Sequence, residues 1–194
     1  GGKYNTKGDV YGYYNDGKDG YEKHTNLTHI PTMYNLEEGY SLGLGFGMYS
    51  DMWGGCRYEI EGSYDKVRVD NFMFNGIQMS SNLDFTTRAV MFNWLKEFPI
   101  GGLTGYAGPG VGWADTEIYG QAMGMFYNDR SSGFAWQLIA GVDFPLSQNF
   151  AFFAQYRYRV LSGQDFSTVS ENFIVETIDN PSSHALLFGA RVSF

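Results

Sequence analysis

Three histidines, His24, His29 and His184, and one cysteine, Cys56, are the residues of this 194-residue chain that could carry nucleophilic or metal chemistry. Ser182 and Ser183 adjoin His184, as an activated serine might require. In an extended strand, however, neighbouring side chains point to opposite faces, so Ser183 and His184 diverge. No Asp or Glu is placed to orient the imidazole, and an enzyme is not expected. Asp16, Asp19, Glu22, His24 and His29 crowd one stretch. Its Asp16-Gly17-Lys18-Asp19-Gly20 core lacks the ligand spacing of an EF-hand. It reads as a solvated, turn-rich loop, with a weak divalent site as the alternative, and no metal or cofactor is assigned. A single cysteine allows neither an internal disulfide nor a Cys-rich zinc site. Cys56 reads as a buried, unreactive thiol.

The remaining chemistry lies in charges. Arg57, Glu59, Glu61, Asp143, Arg157, Arg159 and Arg191, with Lys7 and Asp9, recur at alternate positions of otherwise apolar segments. Their signs nearly balance, although the chain as a whole carries a net charge of -8. What positions them is a set of strands, because period-two alternation is the signature of a strand with two unlike faces.

Composition narrows the class first. Gly is 26 of 194 residues, there are 16 Phe and 15 Tyr, and charged residues are only 18%. Disordered chains lack such aromatics. The glycines follow no collagen period. Gly and Tyr are poor helix fillers, which argues against a bundle. The acidic pI of about 4.7 leaves no basic face for nucleic acid. The longest apolar runs fall far short of a membrane helix, but a membrane barrel has a much weaker signal per segment. Gly1-Gly2-Lys3 has no apolar stretch behind it, so no signal peptide is expected within these residues.

Eight strands are predicted, at about Lys3–Tyr14, Gly39–Tyr49, from Cys56, Asn82–Lys96, Leu103–Thr116, Gly133–Phe144, Phe150–Val160 and His184–Phe194. Arg88–Phe98 could also be read as a buried helix. The connections alternate in length. Asn15–Leu36, Asp70–Ser81, Glu117–Ser132 and Leu161–Ser183 are long; Ser50–Gly55, Glu97–Gly102 and Pro145–Asn149 are short. Long loops at one end and tight turns at the other mark an up-and-down antiparallel barrel of the outer-membrane kind. Pro31, Pro99, Pro145 and Pro181 fall in the connections. Pro109 falls mid-strand, where its missing N–H predicts a bulge or gap.

The two faces differ in kind. Tyr40, Leu42, Leu44, Phe46 and Met48 alternate with Ser41, Gly43, Gly45 and Gly47. Rows of glycine with paired charges suit the interior of a narrow barrel, where little more than side chains fits. Buried charge needs a partner. The apolar face then meets lipid, with Trp94, Trp113, Trp136, Phe144 and Phe194 as interface anchors. A soluble lipocalin-like barrel would expose polar residues rather than rows of glycine.

The ending Phe188-Gly189-Ala190-Arg191-Val192-Ser193-Phe194 resembles the terminal signal of bacterial outer-membrane barrels. Gly189, Val192 and Phe194 match it, and Leu187 stands where that signal carries a polar residue. The resemblance implies recognition by the barrel-assembly machinery. Residues 37–194 also resemble the opacity-type and outer-membrane-protein-A-like eight-stranded surface antigens. The likeness is carried by Gly39–Tyr49, Arg57–Tyr64, Tyr106–Gly112, Phe150–Tyr158 and Ser183–Phe194. Those proteins usually have a small residue where Pro109 stands. The lipid-A deacylase barrels keep His and Ser two apart on one strand face, a pattern absent here. The expectation is an all-β, eight-stranded antiparallel up-and-down transmembrane β-barrel, one domain over residues 1–194. It would be a non-enzymatic, integral outer-membrane protein of a Gram-negative envelope, with external loops and periplasmic termini. Its interior would be plugged by Arg57, Glu59, Glu61, Asp143, Arg157, Arg159 and Arg191. Its partners would be outer-membrane lipid and lipopolysaccharide, the assembly machinery, and an extracellular or envelope protein at the loops, with no nucleic acid and no cofactor. The alternatives are an accessory subunit of a larger outer-membrane complex or a small porin-like channel.

Overall fold

The computed structural model describes residues 2–5, 7–15, 21–23, 32–35, 39–50, 55–74, 77–122, 125–163, 165–170, 173–178 and 182–193. Side chains are described in 39–50, 55–68, 82–121, 126, 128–163 and 182–193. The chain runs β1 (Gly2–Asn5), β2 (Lys7–Asn15), β3 (Tyr21–Lys23), β4 (Thr32–Asn35), β5 (Tyr40–Ser50), β6 (Cys56–Phe74) and β7 (Ile77–Ile100). It continues through β8 (Leu103–Ala122), β9 (Met125–Pro145), β10 (Phe150–Ser162), β11 (Asp165–Ser170), β12 (Phe173–Ile178) and β13 (Ser182–Val192). Seven of these form the wall. β5 pairs with β6, β6 with β7, β7 with β8, β8 with β9, β9 with β10 and β10 with β13, every pair antiparallel. Arg88–Phe98 lies in the middle of β7, so the helical option for that stretch is excluded.

The sheet is curled. In a flat sheet β5 and β10 would lie five strand spacings apart, about 24 Å. Instead, Arg157 Nη2 on β10 donates to Ser41 Oγ on β5 at 2.9 Å. The concave face is therefore an interior. The wall is also inside out relative to a water-soluble domain. Phe46 is 73% and Phe188 78% exposed, whereas Arg157 and Arg159 are each 2% exposed. Trp94, Trp113 and Phe144 lie on the convex face, and Trp136 shares it.

Three expectations need correction. The predicted first strand, Lys3–Tyr14, is two elements. β1 pairs with the Ser182–Ala185 end of β13, while β2 pairs with β12, β3 and β4. Lys7 and Asp9 thus lie on β2 rather than on a strand running down the wall, and their side chains are outside the described residues. Second, Asp70–Ser81 and Glu117–Ser132 are not loops but continuations of hairpins, and Asp165–Ile178 forms a further hairpin. Strands expected at membrane length reach 19 residues in β6, 24 in β7, 20 in β8 and 21 in β9. Polar residues hid this, because cross-strand ion pairs such as Arg68–Asp84 extend a ladder as well as apolar pairs do. Third, Glu97–Gly102 is shorter than read. The turn is Gly101–Gly102, with φ values of 53° and 89°, the left-handed pair that a two-residue hairpin demands.

Pro109 produces the gap its chemistry predicts. The β7–β8 register runs to Asn93↔Gly110 and resumes at Lys96↔Ala107, with no slip across the interruption. On its other side Pro109 still stands opposite Leu138. The neighbouring Gly108 permits this close passage, since a Cβ there would run into the carbonyl oxygen of Trp94. Gly108→Val should force β7 and β8 apart, costing about 1–3 kcal/mol or more. A denaturant titration followed by circular dichroism checks this; an unchanged midpoint would mean the wall yields freely there.

Candidate functional site: the charged interior

Every second residue of β6 from Arg57 faces inward, which brings Arg57, Glu61, Ser63 and Asp65 into the enclosed space. The same alternation on β10 turns Gln155, Arg157 and Arg159 inward, opposite Asn93 of β7 and Gln137 of β9. Glycines make the room. The Cβ position of Gly45 lies 3.1 Å from the Glu59 carboxylate, and a Cβ at Gly110 would strike Asn93.

The structure gathers the sequence-predicted charges into two groups. In the first, Glu61 and Asp65 lie between Arg157 and Arg159. Arg157 Nη1 donates to Glu61 Oε1 at 2.6 Å and Nη2 to Asp65 Oδ1 at 2.8 Å. Arg159 Nη1 donates to the other Asp65 oxygen at 2.8 Å, and its Nη2 lies 3.7 Å from Glu61. Neutral groups complete the set. Asn93 Nδ2 and Gln137 Nε2 donate to Glu61 Oε2 at 3.0 and 3.2 Å. Arg159 Nε donates to Gln137 Oε1 at 2.9 Å, and Arg159 Nη1 also to Ser63 Oγ at 2.9 Å. Two cations face two carboxylates, so the group is neutral and its charges are hydrogen-bonded as burial requires.

The second group sits toward the short-turn end. Arg57 contacts Glu97 at 2.5 Å, Glu59 at 3.3 Å and Asp143 at 3.5 Å. Arg191 pairs with Asp143. The Tyr106 ring lies against both guanidinium groups, 4.6 Å from Arg57 Cζ and 5.2 Å from Arg191 Cζ. Its hydroxyl donates to Gln155 Oε1 at 3.1 Å. All seven predicted interior residues thus fall in these groups. Asp65 and Glu97 were missed. Asp65 continues the inward alternation of Glu61 and Ser63 and was legible by extending it; Glu97 was read into a turn.

Other singled-out residues lie elsewhere. His184 is on the convex side, hydrogen-bonded through Nδ1 to the Tyr156 hydroxyl at 2.5 Å. Cys56 is buried. Asp16, Asp19, His24, His29 and Phe194 lie outside the described residues, as does the side chain of Glu22. Gly189 and Val192 are in β13, where Gly189 stands opposite Phe153 and Val192 opposite Phe150. The end of that strand is tied down: Ser193 N–H donates to the Asn149 carbonyl at 2.9 Å, and Asn149 Nδ2 donates to the Ser193 carbonyl at 2.7 Å.

Further out, the convex face changes character. Arg130 Nε donates to Asp115 at 2.7 Å, and Lys66 and Arg68 contact Asp84 at 3.0 and 3.1 Å. The Arg130 hydrogen bond holds the Asp115 carboxyl below its ordinary 3.8; partial burial opposes it, and the charges of Arg130 and Arg88 add to it. Partial burial pushes Asp84 up, but the hydrogen bonds and charges of Lys66 and Arg68 outweigh it and hold this carboxyl low as well.

No family model and no curated protein matches the chain. Among solved structures it is similar to the Neisserial surface protein A, with 13% identity, 100% of this chain and 99% of that one covered, and a TM-score of 0.49. It is similar to the outer membrane protein OprG from Pseudomonas aeruginosa at 16% identity, covering 98% and 95%, with a TM-score of 0.48. For Ail, the attachment invasion locus protein of Yersinia pestis, the values are 16%, 96%, 99% and 0.29. Scores below 0.5 are too low to carry the properties of those proteins over to this chain.

Two outcomes follow from this geometry. Asp65→Ala strips both arginines of a carboxylate and should cost about 3–5 kcal/mol, because it leaves two buried cations with Glu61 as their one shared counter-charge. A charge-free double replacement, Asp65→Leu with Arg159→Met, should cost less than the sum of its single changes. Denaturant unfolding of the wild type, Asp65→Ala, the double variant and its two single changes checks both, and strict additivity would deny the coupling. At the rim, a lowered folded-state pKa means that stabilisation by Asp115 is complete above about pH 4 and is lost as the pH falls further. Thermal scans between pH 5 and pH 2 should therefore show a shallower decline in Asp115→Asn than in the wild type.

Proposed function

We propose that this chain is an integral outer-membrane protein. In this reading it is a single eight-stranded β-barrel domain, non-enzymatic, with a plugged polar interior and external hairpins that meet other molecules at the cell surface. One observation carries the reading: large apolar side chains cover the convex face of the wall while arginines and carboxylates fill the concave one. In water this arrangement would expose a contiguous apolar surface far beyond what soluble monomers carry. In a bilayer it is what the solvent demands, with an apolar band outside and polar groups within. Tyr40, Leu42, Leu44, Phe46 and Met48 give the band on β5 nine residues, matching the length that crosses a membrane on a tilted strand.

Closure by an eighth strand is supported by backbone chemistry. The described partners of β5 are on β6 alone, and β13 is paired on its second side only along Ser182–Ala185. Open strand edges do not persist in hydrocarbon, where each unmatched peptide group costs several kcal/mol.

The plug is supported by the fully buried Arg159, Tyr106, Gln137 and Asn93, which leave the concave space occupied. The long β6–β7 and β8–β9 hairpins and the β11–β12 hairpin are the parts available for contact outside, as adhesin or as envelope structure. Gly189, Val192 and Phe194 are proposed as the assembly signal, with the short turns and the termini periplasmic.

Leu44→Arg, at the centre of the β5 band, should lower stability by about 2–4 kcal/mol in lipid vesicles. A cost near zero would argue that the convex face meets water. In planar bilayers the wild type should show no large, stable conductance steps; such steps would overturn the plug. Trimming the three hairpins should abolish adhesion to host or envelope preparations while the barrel still assembles.

A further inference from the structure

Two glycines face outward on the described wall strands, and they are treated differently. At Gly105 the space of the missing side chain is filled by Phe98 and Ile100. At Gly62 nothing comes nearer than the Leu44 carbonyl oxygen, 4.0 Å from where a Cβ would stand. A glycine inside a strand weakens it and marks a bulge or the close approach of another group. The register through Gly62 is unbroken on both sides, so there is no bulge. Gly62 instead floors an open groove of about 710 Å³ on the convex face. Leu44 and Val90 flank Gly62 on β5 and β7, Trp113 stands beyond Val90, and Tyr64, Arg88 and Asp115 line the next cross-strand row. It crosses β5 to β8, three strand spacings or about 14 Å.

One end of the groove sets a loosely held cation, Arg88, beside the Asp115 carboxylate, and both line it. Arg88 is half exposed, and its two carboxylate neighbours, Asp115 and Glu117, lie 3.6 Å away, beyond hydrogen-bond reach. Asp115 is already engaged by Arg130 at 2.7 Å. Along this outward row Lys66, Arg68, Arg88 and Arg130 face Asp84, Asp115 and Glu117, an excess of one cation on a chain whose net charge is -8.

We infer that this groove is a binding site for one membrane lipid with a phosphate-bearing, anionic headgroup. One acyl chain lies over Gly62 between Leu44, Tyr64 and Trp113, and the phosphate accepts hydrogen bonds from the Arg88 guanidinium. The apolar floor fits a tail, and Arg88 sits where the apolar band gives way to charge, at headgroup depth. Guanidinium donors match phosphate oxygens bidentately. The inference rests on the membrane reading given above.

The test uses the full chain folded into vesicles of phosphatidylcholine mixed with phosphatidylglycerol, extracted in mild detergent and weighed by native mass spectrometry. The wild type should retain one phosphatidylglycerol in preference to phosphatidylcholine. Gly62→Phe should fill the groove and reduce retention of either lipid roughly tenfold, while Ala140→Phe, an equal addition elsewhere on the convex face, should not. Arg88→Gln should keep a bound lipid but lose the preference for phosphatidylglycerol. Should Gly62→Phe not fold, the Arg88→Gln comparison carries the test. Equal retention of the two lipids by the wild type, or undiminished retention by a folded Gly62→Phe, overturns the inference. Failure of the wild type to insert into vesicles would instead overturn the membrane reading.

Discussion

The Asp65 carboxylate, bridging Arg157 and Arg159, is the contact on which the rest of the interior depends. A charge taken out of water is tolerated only beside an opposite charge with its remaining hydrogen bonds filled. Asp65 stands on β6 and the two arginines on β10, four strands away around the sheet. They can meet only if the wall curls, and the curl makes the concave face too narrow for anything beyond side chains. Glu61, Asn93, Gln137, Ser41 and Ser63 then add further hydrogen bonds to the cluster. Replacing such a cluster by hydrocarbon need not destabilise a fold. Its contribution is specification, since one register of each strand brings all of these partners together.

Space sets the second condition. Gly45 makes way for Glu59, Gly110 for Asn93, Gly141 for the Tyr106 ring and Gly189 for Phe153. A row of small residues on one face is thus matched to large ones across the interior, which is how the curved wall fills its concave side with side chains. Tyr106 gains cation–π attraction from Arg57 and Arg191 in the same economy of space.

The outer hairpins follow different rules from the band below them. There the convex face exchanges Leu, Phe and Trp for Arg, Lys, Asp and Glu, while antiparallel pairing continues outward. The strands therefore outrun the membrane-length segments by as much as they do because charge pairs across a ladder replace apolar pairs without changing its geometry. The β6–β7 pair has one register shift, between Val69 and Asn71, in this outer region.

The sequence by itself determined the class. Period-two alternation, glycine opposed to aromatic, and near-balanced charge on one face required strands with a polar side and an apolar side. It also located the seven wall strands from Gly39 onward and seven members of the charged interior by local parity, and the gap at Pro109 by the missing N–H. It left three things open. Where a strand stops was illegible, since Glu117 and Arg130 look like loop residues until their pairing across β8 and β9 is known. The split of the first segment into β1 and β2 was illegible too, because pairing with Ser182–Ala185 or with Phe173–Ile178 depends on residues more than a hundred positions away. Which carboxylate meets which arginine, and why Gly62 leaves a hole where Gly105 does not, were decided by tertiary structure alone. Parity fixes the face a side chain occupies, but only the curl of the sheet fixes what stands opposite it.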